Sequence, residues 1–173
     1  MRTFCTALVL VVFAAAAPAQ DKKFESKDGR FSAKFPGEPE TKNQKAGNQD
    51  LSITIFESKD KDKKGGYAVI YSDMTPDAVK AAPAKKLLEN GEKGLIDTFK
   101  AKVVKSAETT VKSGVKEYPA RDIVAEKENL TLRLLIVLAD NRLYQVFVVG
   151  PKEVATGKEA DDFLKSFEVA GGK

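Results

Sequence analysis

The stretch Leu130-Thr131-Leu132-Arg133-Leu134-Leu135-Ile136-Val137-Leu138, followed across Asp140-Asn141 by Leu143-Tyr144-Gln145-Val146-Phe147-Val148-Val149, decides the fold. Both runs are apolar almost throughout and rich in β-branched residues. They are joined by a pair of residues that suits a tight hairpin. Near-continuous apolarity in strands of this length predicts central strands covered on both faces. Upstream, Tyr118 to Glu126 reads as a further strand, Ser113-Gly114 as a turn, and Val103 to Lys112 as a weaker strand. Downstream, Gly150-Pro151 ends the hairpin. Thr156-Gly157-Lys158-Glu159 then has the spacing of a capping box, and Ala160, Phe163, Leu164 and Phe167 follow at helical intervals.

Farther from this centre the pattern weakens but stays readable. Thr75-Pro76-Asp77 places a hydroxyl, a proline and an acid in the order of a helix start. The main helix is expected from Pro83 to about Lys100. Leu88, Leu95 and Phe99, with Leu87 and Ile96, form its apolar face, and Lys85, Lys86, Lys93 and Lys100 its outer side. Gly91 and Gly94 each cost about 1 kcal/mol against alanine in a helix, so they mark either a close approach to a sheet or a break. Leu51 to Glu57 alternates as a half-buried strand, and Tyr67 to Tyr71 continues as the next. At the start, Phe24 and Arg30 to Phe35 flank Asp28-Gly29 as a hairpin stopped by Pro36-Gly37-Glu38-Pro39. The order predicts an α+β fold: a mostly antiparallel β-sheet flanked by a long mid-chain helix and a C-terminal helix. A closed barrel with a C-terminal helix is the alternative, disfavoured by the long helix.

Residues 1–19 are set apart. Arg2, the apolar run from Ala7 to Ala17 and the small-x-small Ala17-Pro18-Ala19 form a signal-peptide pattern with cleavage expected after Ala19. The run falls short of the roughly 20 apolar residues that a bilayer requires. No membrane span is expected, and residues 20–173 are read as a single α+β domain. Cys5, the one cysteine, lies in the leader, and no cysteine stands where a lipoprotein would carry it. The expected product is exported, periplasmic or extracellular, and without disulfides. A domain of this size is large enough to hold together by burial alone, since it hides about 68–70% of its unfolded surface.

The chain carries 29 Lys and Arg against 25 Asp and Glu, a net charge of +4. Removal of Arg2 with the leader leaves +3. The cations are mostly lysines interleaved with acids, as in Lys59 to Lys64, and this is a solvated surface rather than an arginine-rich phosphate-binding face. Nucleic acid is not an expected partner. The sequence contains no histidine, which removes the commonest general base and metal ligand and every His-based nucleophile. Ser58-x-x-Lys61 and Ser113-x-x-Lys116 match the serine–lysine spacing of acyl-transfer enzymes but lack the companion elements. Asp60-x-Asp62-x-Lys64-Gly65 starts like a calcium loop but has Lys at the fifth position and Tyr71 where a bidentate Glu belongs. Gly150 with Gly157-Lys158 has the wrong spacing for a phosphate loop, and Glu159 replaces its hydroxyl. The acid pairs Asp161-Asp162 and Glu126/Glu128 fit a helix start and a charged turn better than a glycosidase site. Asn129-Leu130-Thr131 is a glycosylation sequon. No cofactor and no metal is expected.

Six residues remain as candidates for binding: Tyr118, Arg121, Asp122, Arg133, Arg142 and Tyr144. Arg121 and Arg133 stand among apolar neighbours on adjacent strands, so burial would oblige them to pair. Asp122 or Glu126 is the expected partner. A structural ion pair with aromatic packing is the competing account of all six.

Phe31-Ser32-Ala33-Lys34-Phe35-Pro36-Gly37, Tyr118-Pro119-Ala120-Arg121, Arg142 to Val146 and Phe163-Leu164-Lys165-Ser166-Phe167 together resemble a group of exported bacterial proteins of unknown function. That group has the PsbP-like α/β/α sandwich, the fold of an extrinsic photosystem subunit and of Ran-binding relatives. The resemblance implies the fold over nearly the whole mature chain and implies no functional residue. The expected function is therefore that of an exported non-enzymatic domain, monomeric, binding a protein, a polymer or a small ligand. The site would be a cleft between the sheet and the long helix, or the Lys59–Gly66 loop. Two alternatives are a His-free hydrolase using carboxylates and a carrier of small apolar ligands. The carrier requires a cavity beside Leu134, Ile136, Val146 and Val148.

Overall fold

Seven antiparallel strands make the main sheet of this computed structural model, which describes residues 23–46, 49–57 and 65–170. The leader with its cleavage point and Cys5 lie outside the described residues, as do Ser58–Lys64 and the two motifs within them. In chain order the elements are β1 (Phe24–Ser26), β2 (Phe31–Ala33), β3 (Glu40–Ala46), β4 (Gln49–Glu57), β5 (Gly66–Asp73), α1 (Pro76–Ala81) and α2 (Ala84–Phe99). They continue with β6 (Lys102–Ser113), β7 (Lys116–Lys127), β8 (Leu130–Ala139), β9 (Arg142–Gly150), α3 (Lys152–Ala155), α4 (Lys158–Lys165) and β10 (Glu168–Val169). The main sheet runs β3-β4-β5-β9-β8-β7-β6, and β1-β2-β10 form a small second sheet. The architecture is α+β and mostly antiparallel, with β9 at the centre and β8 beside it, as their apolarity predicts. The open order, with edges at β3 and β6, excludes the barrel.

Alternation along β8 and β9 divides the core in two. Tyr144, Val146 and Val148 point to one face, where they join Phe31, Tyr67, Val69, Val137 and the α4 residues Ala160, Phe163 and Leu164. Leu134, Ile136, Leu138 and Phe147 point to the other, against Leu87, Leu88 and Leu95 of α2. The four residues proposed to border a carrier cavity therefore lie on opposite faces of the sheet, each at most 1% exposed. They cannot line one cavity.

The first face is aromatic. Phe163 stands 4.8 Å from Phe35 and 5.5 Å from Tyr67, centroid to centroid, and Phe31 stacks on Phe167 at 5.9 Å. The α2 face is mainly aliphatic, with Phe99 against Phe147 at 5.6 Å its aromatic pair. Gly91 is buried, and a Cβ there would stand 3.0 Å from Leu143 and 3.4 Å from Ile136. Gly94 faces open space. Of the two readings of these glycines, close approach holds for Gly91, and α2 runs unbroken through both.

Local signals behave unevenly. Thr75 caps α1 as predicted, its Oγ1 accepting from the Ala78 N–H at 3.2 Å. The capping box at Thr156 does not form. Residues 152–155 make their own helical turn, so Thr156 closes α3 and donates to the Lys152 carbonyl at 2.8 Å. The N-cap of α4 is Gly157, with no side-chain cap. In the first hairpin Arg30, not Gly29, takes the left-handed conformation, φ 50°. Gly29 is required for space, since a Cβ there would meet Ser26 Oγ at 2.6 Å and the Phe31 ring at 2.7 Å. No helix among the described residues is long and apolar enough to cross a membrane.

Candidate functional site

The six candidate residues separate into three places. Arg142 and Tyr144 belong to β9 and hold the first hairpin onto the main sheet. Arg142 lies directly across from Asp73 on β5 and forks onto its carboxylate, with Nε and Nη2 each 2.6 Å from an oxygen. Its Nη1 donates to the Asp28 carbonyl at 2.7 Å, and the guanidinium lies 4.4 Å from the Tyr71 ring centroid. The hydrogen bond from Arg142 holds the Asp73 carboxyl below its ordinary pKa. The Tyr144 hydroxyl donates to the Gly29 carbonyl at 2.8 Å, and burial pushes its pKa up. Tyr118 is 6% exposed and packs in the aromatic core. These three residues hold the fold together.

Arg121 projects to the α2 face. Its Nε donates to Glu92 at 2.7 Å and its Nη2 to Ser106 Oγ at 2.7 Å, while Ser106 itself donates to Glu92 at 3.0 Å. Arg121 and Glu92 are both 13% exposed. The expected partners, Asp122 and Glu126, are not used. Asp122 is the next residue on the strand and points to the opposite face. Glu92 was missed by sequence reasoning, although its place carried a signal: it lies four residues after Leu88 and three before Leu95, on the inward stripe of α2.

Asp122 and Arg133 come together on the face of α4. With Leu135 they floor a cleft of about 310 Å³. Thr109, Val111 and Lys112 of β6 form one side, and Leu164, Lys165 and Phe167 the other. The register puts Asp122 opposite Leu135 and Val124 opposite Arg133, so Asp122 and Arg133 are diagonal neighbours. Arg133 reaches Asp161 of α4 through Nη1 at 3.1 Å. Asp161 also stands 3.7 Å from Lys165. The Arg133 Nε is buried and has no hydrogen-bond acceptor among the described residues. Asp122 has no ion-pair partner among them. Arg133 and Lys165 thus border the same cleft as Asp122, with Val111, Leu135 and Leu164 beside them. Beyond Lys165 a second hollow, about 500 Å³, opens between Phe35-Pro36 and α4.

The site expected between the sheet and the long helix is not the place of this cleft, because Gly91 brings α2 down onto the sheet and Arg121 fills the margin. Asp161 was read as an acid of a helix start and not as a partner for Arg133, and Lys165 looks like an ordinary surface charge. Among the described residues no group of three or more acids could hold a metal ion.

Neither family models nor curated protein sequences match the chain. Among solved structures, it is similar to the solution structure of cyanobacterial PsbP from Synechocystis sp. PCC 6803, with a TM-score of 0.61 at 13% identity. The match covers 92% of this chain and 98% of that one. At that identity the likeness is one of fold, and it identifies the chain as a PsbP-like α+β sandwich.

Proposed function

We propose that residues 20–173 form an exported, non-enzymatic binding domain whose site is the cleft between β6–β8 and the end of α4. The observation that carries this reading is the contrast in how the strand arginines are used. Arg121 and Arg142 each give Nε and a terminal nitrogen to groups of the fold. Arg133 gives one nitrogen to Asp161 and keeps a buried Nε unmet. An unmet buried donor on a charged group costs about 1–3 kcal/mol or more, a cost that a bound acceptor offsets.

The hydrolase alternative finds little support. A general acid needs a raised pKa, and the acids with displaced values, Asp73, Glu108 and Asp162, are held low by hydrogen bonds from Arg142, Lys85 and Lys158. The carrier alternative lacks its cavity.

The test is native mass spectrometry of the protein recovered from its own host, from envelope and medium fractions, as parent and as Arg133→Gln. An added mass on the parent that the variant loses supports binding at this cleft. An added mass kept by the variant places the site elsewhere. A bare parent that turns over substrates in a hydrolase panel contradicts the non-enzymatic reading.

A further inference from the structure

The chemistry of the cleft is specific enough to name a ligand class, an inference that rests on the binding reading above. The lining is mixed: Asp122 and Arg133 lie in the floor, and Val111, Leu135 and Leu164 offer apolar contact beside them. Arg133 offers a planar fork of which one arm is tied to Asp161 and the Nε edge is unmatched. Arginine presents paired donors that fit a carboxylate side-on. Lys165 adds positive potential at the border, and Asp122 stands nearby without an ion-pair partner among the described residues. A volume of about 310 Å³ is at the lower end of small-molecule sites, roughly 300–1,000 Å³, so the occupant is compact.

We infer that the cleft binds a carboxylate borne next to a compact apolar side chain, the chemistry of an apolar amino acid or of the C-terminal residue of a peptide. The carboxylate seats on the Nε edge of Arg133, which turns outward about its own axis to meet it. The apolar group lies on Val111, Leu135 and Leu164. Asp122 then lies where an α-ammonium group would find its counter-charge, and this separates the two sources of the ligand. A free amino acid brings that ammonium; a chain terminus brings an uncharged amide.

The experiment is a methyl NMR titration of the host-processed protein with N-acetyl-leucine, N-acetyl-leucinamide and leucine. N-acetyl-leucine is expected to shift the methyls of Val111, Leu135 and Leu164 saturably, leaving those of Leu87, Leu88 and Leu95 under α2 unmoved. The amide is expected to bind at least about tenfold more weakly, since one charge-assisted hydrogen bond is lost. Arg133→Gln is expected to lose a similar factor while its α2-face methyl spectrum stays that of the parent, which certifies the fold. Arg133→Lys, which keeps the charge without the fork, is expected to recover only part of it. Tighter binding of leucine than of N-acetyl-leucine assigns the free amino acid; the reverse assigns a chain terminus. Equal binding of acid and amide at these methyls overturns the carboxylate inference and leaves the cleft as the binding site. Unmoved methyls with all three compounds overturn the inference, while the host-protein comparison decides the site separately.

Discussion

Arg121 and Arg133 stand on neighbouring strands of one sheet, twelve positions apart in the chain, and face opposite sides of it. On the α2 side, Arg121 meets Glu92 and Ser106 within hydrogen-bond distance and all three are drawn into one network. On the α4 side, Arg133 meets Asp161 alone, beside an open cleft. The two side chains are similarly shielded, 13% and 20% exposed. What differs is the completeness of their partners. A buried charge with its hydrogen bonds met belongs to the stability of the fold; one left partly unmet beside a cleft is a place where the fold has not spent its polar groups.

The largest effects are expected in the two cores. Phe163→Ala, on the α4 face, is expected to cost about 3–5 kcal/mol, and Leu88→Ala, on the α2 face, about 2–5 kcal/mol, both read from urea unfolding midpoints. A loss well under 1 kcal/mol at either site would mean that its layer does not close the core. Next comes the pair of arginines. Arg121→Met leaves Glu92 partly buried without its counter-ion and is expected to cost roughly 3 kcal/mol. Arg133→Met removes an unmet donor and leaves Asp161 near Lys165, so its cost is expected within about 1 kcal/mol. Equal losses would erase the distinction.

The two glycines of α2 sharpen the same contrast at smaller scale. Gly94→Ala, into open space, is expected to stabilise by about 0.8–1 kcal/mol, or roughly 2–4 °C in Tm. Gly91→Ala is expected to gain nothing, because the new methyl presses on Leu143 and Ile136. The smallest effect is a pH dependence at the hairpin tie. The folded pKa of Asp73 lies below its unfolded value, so the Arg142 contact contributes stability above the unfolded pKa of about 3.9. That contribution is lost as pH falls through the lower folded value. Urea midpoints measured from pH 6 down to pH 2 should therefore fall less steeply for Asp73→Asn than for the parent.

Legibility in the sequence followed burial. The β8–β9 hairpin was readable because both faces are covered, which leaves few polar residues to confuse the pattern. α2 was readable to within a residue or two, since one side meets the sheet and the other meets water. β3, Glu40 to Ala46, was not readable: it is a polar edge strand paired on one side only, and it takes its conformation from β4. Thr156 shows a local signal overridden by its neighbour, where a preceding helical turn claimed the hydroxyl. In the candidate site, Arg133 was legible as a charge inside an apolar run, and Asp122 as its near neighbour. Asp161 was not, because an acid in the first turn of a helix already has an explanation in the helix dipole. Lys165 was hidden among many lysines, and only the folding of α4 beside β6 brings it to the cleft.

Arg133 alone among the three strand arginines leaves its Nε without an acceptor among the described residues. The arginine Nε–Hε signals in NMR, with and without N-acetyl-leucine, read this difference. The account predicts that the Hε of Arg121 and Arg142, bound to Glu92 and Asp73, are shifted downfield, exchange slowly and ignore the compound, whereas that of Arg133 has no such shift alone and moves downfield as the compound binds. An Arg133 Hε already as downfield-shifted and slow as the other two, and unmoved by the compound, would contradict it.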